Sequence, residues 1–172
     1  MIPIISVVGW HNAGKTTFLE RLIAELKRRG LRVATVKHTQ SDFEIDHVGT
    51  DTWRFAQAGS DVVAISGKHR AALVERRTRE LSLSEIVSRL PSDIDLVITE
   101  GYKGLATPKI EVVRSGAGQE RVDSAGELLA VVADEQVLDA EGVTHFAPTD
   151  VAGVVDLLEA RGFTGARRPR DS

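Results

Sequence analysis

Eight consecutive residues, Gly9-Trp10-His11-Asn12-Ala13-Gly14-Lys15-Thr16, constrain this chain of 172 residues more than any other feature, because of what flanks them. Before them, Ile2 to Val8 is a nearly all-apolar, β-branched run, the pattern of a strand buried on both faces of a parallel sheet. After them, Phe18, Leu19, Leu22, Ile23 and Leu26 recur at spacings of three and four, while Glu20, Arg21, Glu25, Lys27 and Arg28 take the opposite face. That is an amphipathic helix, closed by Gly30. A buried strand, a glycine-bracketed turn ending in Gly-Lys-Thr, and a helix form the order that phosphate binding requires. The glycines let successive N–H groups curl toward phosphate oxygens, and the helix adds the positive end of its dipole. Lys15 is expected to reach the β and γ phosphates and Thr16 to ligate Mg²⁺. A turn whose lysine is merely solvated is the plainer alternative, and the flanking strand and helix weigh against it.

Leu31 to Lys37 alternates as a second strand, expected next to the first, and completes a strand-helix-strand unit. His38 to Gly49 is polar and aperiodic, a loop long enough to carry function. Thr52 to Ala58 reads as a short helix, and Asp61 to Ser66 with Ala71 to Arg76 as a hairpin around Gly67-Lys68. Ser82 with Glu85 forms a capping box that opens a helix through Leu90. Further strands are expected over Asp95 to Thr99, Lys109 to Arg114, Leu128 to Ala133 and Thr144 to Phe146. A last helix runs from the Asp150 cap through Glu159. Gly116-Ala117-Gly118 reads as a loop. The alternation predicts an α/β fold: a P-loop NTPase-like, mostly parallel sheet of about seven strands flanked by helices, with a β-hairpin insertion. One domain is expected over 1–162, followed by a frayed basic tail over 163–172 that holds Arg167, Arg168 and Arg170.

Composition narrows the functional classes. Twenty-two Lys and Arg against 25 Asp and Glu give 22 − 25 = −3, so no global positive charge is present to coat nucleic acid or an anionic membrane. With no cysteine, disulfide scaffolds, thiolate metal sites and cysteine nucleophiles are excluded. Neither a signal peptide nor a membrane-spanning run is read, and a cytoplasmic protein is expected. The five histidines, His11, His38, His47, His69 and His145, include no pair at helical ligand spacing, which disfavours a zinc or nickel site.

Two carboxylates are candidates to join the phosphate loop. Glu100 ends the apolar strand Asp95-Leu96-Val97-Ile98-Thr99, at the strand end where such folds hold Mg²⁺ or its water shell. Asp95, at the other end of that strand, fits a turn role. In the loop after the second strand, Lys37, His38, Asp42, Asp46 and Asp51 form a switch-like segment, with Asp46 preferred for Mg²⁺; a solvated acidic loop is the equal alternative. Trp10 is a base-stacking, partner-facing or packing aromatic. No catalytic residue is assigned: neither an arginine finger nor a catalytic glutamine can be picked out by spacing.

Gly9 to Thr17, Val36-Lys37-His38, Asp46-His47-Val48-Gly49-Thr50-Asp51-Thr52, Gln57-Ala58-Gly59, Glu100-Gly101-Tyr102-Lys103 and Pro108-Lys109-Ile110-Glu111-Val112-Val113-Arg114 together resemble the MobB family of molybdopterin-guanine dinucleotide biosynthesis. The resemblance spans residues 2 to 114. It implies GTP as nucleotide, weak GTPase activity, a homodimer, and a guanylyltransferase partner. By position it puts phosphates on Gly9 to Thr17 and Mg²⁺ on Thr16 and Glu100, with Asp46 and Asp51 in the switch-like segment. The chain departs from the family pattern at Thr39-Gln40-Ser41-Asp42, where further histidines are common, and at Gly49-Thr50-Asp51-Thr52, where Gly-Lys-Asp-Ser is common. No Asn-Lys-x-Asp guanine reader occurs, and Ala147-Pro148-Thr149-Asp150 serves equally as a base-contacting loop or a plain helix cap. A small-molecule kinase, with Arg70, Arg76, Arg77 and Arg79 as a lid, and a metal-delivery GTPase are the alternatives; the missing cysteines and histidine-rich tract count against the latter. An unpaired hairpin edge over Asp61 to Arg76 is the expected dimer contact.

Overall fold

A computed structural model describes residues 2–114, 122, 124–134 and 142–164. The chain divides into two compact units, where the sequence was read as one domain over 1–162: one takes residues up to His38 and from Arg89 onward, the other Thr39–Ser88.

The first unit is built on six strands: β1 (Ile4–Val8), β2 (Val33–Lys37), β5 (Leu96–Glu100), β6 (Lys109–Val113), β7 (Leu128–Ala133) and β8 (Thr144–Phe146). They lie in the order β2-β5-β1-β6-β7-β8, every pair parallel. The count is six in this sheet because the hairpin strands form a sheet of their own. β2 is not beside β1, as expected from sequence, since β5 lies between them. The burial patterns give the reason. All but the last residue of Leu-Val-Ile-Thr-Glu is buried, as an inner strand requires, whereas Val33–Lys37 alternates toward solvent and suits an edge.

Two helices complete this unit: α1 (Lys15–Arg28) and α4 (Val151–Ala160). The apolar stripe Phe18, Leu19, Leu22 and Leu26 of α1 is buried, as are Val154, Val155 and Leu158 of α4. Both stripes join one cluster with Ile5, Val7, Leu96, Ile98, Ile110 and Val112 of the sheet. Arg29 ties the two helices: its guanidinium reaches Asp156 at 2.6 Å, Glu159 at 3.2 Å and Glu25 at 2.8 Å. The Asp95 carboxylate accepts from the Arg32 N–H at 2.7 Å, the turn role read from its position. Asp150 caps α4 by accepting from the Gly153 N–H at 3.0 Å. Phe163 packs on the core; residues 165–172 and the Gly116-Ala117-Gly118 loop lie outside the described residues.

The second unit holds α2 (Asp51–Gln57), the antiparallel hairpin β3 (Val62–Ser66) and β4 (Ala71–Glu75), and α3 (Leu83–Val87). Gly67-Lys68-His69-Arg70 turns the hairpin, closed by the Gly67 N–H on the Arg70 carbonyl at 2.8 Å. The Ser82 and Glu85 capping box opens α3. Leu83 is the one buried residue of this unit.

Candidate functional site

The sheet order sets the site. From central β1 the chain passes outward to β2 on one side, while β6 lies on the other, so the β1–α1 turn sits where connections diverge at the carboxyl end of a parallel sheet. Gly9 starts that turn against the backbone of β6, where a Cβ would lie 2.3 Å from the Val112 carbonyl oxygen. Only glycine fits there. Asn12 (φ 61) and Gly14 (φ 89) take left-handed backbone and curl the loop. Inside the curl the Lys15 ammonium donates to the Trp10 carbonyl at 2.7 Å and to the Gly9 carbonyl at 3.2 Å. No side chain caps α1, so the N–H groups of its first turn, which lack helical acceptors, face an end with no carboxylate of its own. Thr16 and Thr17 are exposed on that turn, and Ala13 is buried beneath the loop.

Glu100 arrives from β5. Its backbone pairs in register with Val7 on one side and Lys37 on the other, so three strand ends are level. The Glu100 side chain is 19% exposed and stands 3.8 Å from the Lys37 ammonium. Burial lowers the pKa of Lys15; Glu100 opposes that shift, and Lys103 and Lys37 add to it. Three lysines and one carboxylate therefore share the end of this sheet, a local positive excess in a chain whose net charge is −3. These groups fit a phosphate anion with Mg²⁺: a curled donor-rich loop with an ammonium, an exposed hydroxyl at Thr16, and a carboxylate oxygen at a neighbouring strand end.

After Glu100 the chain turns sharply through Gly101 (φ 97) and Tyr102 (φ 54). The Tyr102 ring lies against His38, centroids 4.6 Å apart, and the Lys103 ammonium stands 5.1 Å over the Trp10 ring. His38 is thus brought to this end of the sheet, its N–H bonded to the Glu100 carbonyl at 3.1 Å. Among the described residues no group of three or more His, Asp or Glu side chains converges as a metal cage.

Of the acidic switch-like residues, Asp46 and Asp51 belong to the second unit. The Asp46 carboxylate accepts from the Thr50 hydroxyl and the His47 N–H, each at 2.8 Å, and hydrogen bonds from Thr52 and Thr50 lower its pKa. The Thr50 side chain in turn caps α2. Asp51 lies in the first turn of that helix, 4.0 Å from Arg54.

Lys109 was not among the site residues expected from the sequence. It is fully buried, and its ammonium donates to the carbonyls of Leu105 at 2.7 Å and Thr107 at 3.2 Å and to the Thr107 hydroxyl at 3.2 Å. Burial lowers its pKa. That hydroxyl meets Ser6 Oγ at 2.6 Å, and Thr99 donates to the same Ser6 at 2.8 Å, so a buried polar chain runs from β5 through β1 to the loop. The signal was present in the sequence: a lysine and Glu111 interrupting the apolar run of β6 are too costly to bury without assigned partners. Glu111 accepts from the Val122 N–H.

Sheet order, glycine-bracketed turn and enclosed lysine define an α/β protein of the P-loop architecture. Residues 4–134 match the family model described as MobB, molybdopterin guanine dinucleotide synthesis protein B, and the chain belongs to that family. It is 34% identical over 164 residues to the molybdopterin-guanine dinucleotide biosynthesis adapter protein of Escherichia coli K12, covering 92% of each chain. It is 31% identical over 161 residues to the probable adapter protein of Bacillus subtilis, covering 91% of each. Among solved structures, a molybdopterin-guanine biosynthesis protein B aligns with a TM-score of 0.71 at 34% identity, over 92% of this chain and 97% of that one. Bacillus subtilis MobB aligns with a TM-score of 0.73 at 28% identity, over 91% and 98%. No helix among the described residues is long and apolar enough to cross a membrane.

Proposed function

We propose that this chain binds GTP with Mg²⁺ in the Gly9 to Thr17 loop and serves as an adapter in molybdopterin-guanine dinucleotide biosynthesis, in the cytoplasm, beside a guanylyltransferase partner. The observation that carries the nucleotide reading is the Lys15 ammonium held inside the curl of its own loop, 2.7 Å from the Trp10 carbonyl, with Glu100 on the adjacent strand. In that reading the loop N–H groups and Lys15 bind the phosphates. Thr16 and Glu100 supply oxygen donors to Mg²⁺, which neutralises phosphate charge when bound. Asp46 is a further Mg²⁺ donor from the switch-like segment with Lys37, His38 and Asp51; an Asp46→Ala protein with unchanged magnesium dependence of binding removes it. The adapter role is supported by the names of the relatives and by the sparse chemistry of the site. No general base was identifiable from sequence, so slow hydrolysis at most is assigned.

A homodimer is part of the same proposal. The hairpin unit exposes Val62, Ile65, Leu73 and Val74, together with Phe55, and a lone two-stranded hairpin is marginal in water. The register puts Val62 and Leu73 on one face of the hairpin and Ile65 and Val74 on the other, and a second copy paired along the hairpin edge would extend both faces.

Thermal stabilisation by GTP, GDP, ATP and ADP, each with and without Mg²⁺, tests the nucleotide reading. A larger, magnesium-dependent shift with GTP is expected. Equal shifts with ATP remove guanine, and a Lys15→Ala protein that still binds at micromolar affinity removes the site.

A further inference from the structure

In the phosphate loop, Trp10 meets two lysines. Its backbone carbonyl accepts from Lys15 at 2.7 Å, and its ring lies beneath the Lys103 ammonium at 5.1 Å. Lys103 thereby stands at the rim of the loop, opposite in sequence but adjacent in space to the lysine already assigned to phosphate.

The backbone that carries Lys103 is pinned on several sides. Tyr102 turns through left-handed backbone and its carbonyl accepts from the Leu105 N–H at 3.1 Å. The Lys103 carbonyl accepts from the Ala125 N–H at 3.0 Å. Buried Lys109 holds the carbonyls of Leu105 and Thr107, and the Thr107, Ser6 and Thr99 hydroxyls join the loop to β1 and β5. The freedom left is in the lysine's four-carbon stem, which is long and rotatable. Its resting contact is weak: the cation stands over a 43%-exposed tryptophan, where solvent competes for it. An ammonium on a rigid base and in a shallow resting place can be redirected at small cost by a strong anion nearby.

We propose that Lys103 is a second phosphate ligand of this site, its stem able to turn from the Trp10 ring to the terminal phosphate of a nucleoside triphosphate. This rests on the nucleotide reading above and deepens it: Lys15 serves the phosphates that di- and triphosphates share, and Lys103 discriminates between them. Electrostatics agree, because Lys103 is among the charges that disfavour a proton on Lys15, and an added γ phosphate relieves that repulsion. Lys103 also supplies the positive charge for which no arginine finger was found in the sequence.

Binding of GTP and GDP with Mg²⁺, measured by isothermal titration on wild type, Lys103→Met, Lys103→Arg and Lys15→Ala, decides the matter. Lys103→Met keeps the stem and removes the charge. GTP affinity is expected to fall about tenfold and GDP affinity by less than about twofold, as loss of one charged hydrogen bond implies. Lys103→Arg is expected to restore most of the GTP affinity, which a merely steric role for the side chain does not predict. Equal losses for GTP and GDP in Lys103→Met, or no loss for either, overturn the proposal. A Lys15→Ala protein that binds both nucleotides like wild type overturns the underlying nucleotide reading instead, whatever Lys103 does.

Discussion

The two units of this chain spend their apolar residues in opposite ways. In the parallel-sheet unit Ile5, Val7, Leu22, Leu26, Leu96, Ile98 and Ile110 are fully buried in one cluster under α1 and α4. In the hairpin unit Phe43, Ile45, Val48, Phe55, Ile65 and Leu73 are each more than half exposed. Similar residue types with β-branched patterning thus produce a core in one place and a surface in the other. The difference teaches that a strand's sequence specifies pleat and face, while burial depends on whether another layer is available to cover it. The parallel sheet brings its own cover through the helix that follows β1; the hairpin has the short α2 beside β3, and its strands stay mostly exposed.

The largest effect that bears on this contrast is a cavity in the covered sheet. Leu22→Ala is expected to cost about 2–5 kcal/mol in chemical denaturation, whereas Ile65→Ala, on the open hairpin, should cost under about 0.5 kcal/mol at concentrations where the protein is monomeric. Equal costs would erase the distinction between the units. Next in size, Gly9→Ala forces a Cβ into the Val112 carbonyl and is expected to lose about 1–3 kcal/mol of stability together with nucleotide binding. Native stability with intact binding would mean that the loop can move away from β6.

A third measurement sharpens the hairpin side. Ile65→Lys with Leu73→Lys places a charge on each face of the exposed hairpin, and for the proposed homodimer light scattering should show a shift toward monomer with little change in the melting of the sheet unit. An unchanged dimer would locate the interface elsewhere. The smallest effect is pH-dependent and belongs to the covered unit. Hydrogen bonds from Arg28 and Arg29 hold the Glu25 carboxyl at about 2, below its ordinary 4.5. A depressed carboxyl stabilises the fold above its unfolded value, so this contribution is present above about pH 4.5 and is lost as pH falls toward 2. Glu25→Gln should flatten that part of the acid titration while leaving neutral stability little changed, since pairs of this kind near the surface are weak.

Much of the first unit was legible because its signals are local. The run Ile2 to Val8, the stripe from Phe18 to Leu26 and the glycine-bracketed turn between them each reveal their structure within a dozen residues: the strand forms over Ile4–Val8, two residues shorter than read, and the helix over Lys15–Arg28. The capping pair Ser82 and Glu85, the Asp150 cap and the Asp95 turn were equally local and equally readable. Glu100 ends β5 in register with Val7 of β1, a position the sequence shows because a carboxylate closes an otherwise apolar run.

What was not legible depended on partners far away in sequence. That β5 rather than β2 neighbours β1 follows from which strand is buried on both faces, a competition among strands that no single segment contains. The hydroxyl chain from Thr99 through Ser6 to Thr107 and the approach of Lys103 to Trp10 join residues 93 to 101 apart in the chain. The amino-acid sequence by itself determined a strand, a glycine-bracketed turn and a helix, because backbone conformation and amphipathic period are properties of neighbouring residues. Only the tertiary structure decided which side chains gather around that turn, because a parallel sheet brings together strand ends that the chain reaches at widely separated times.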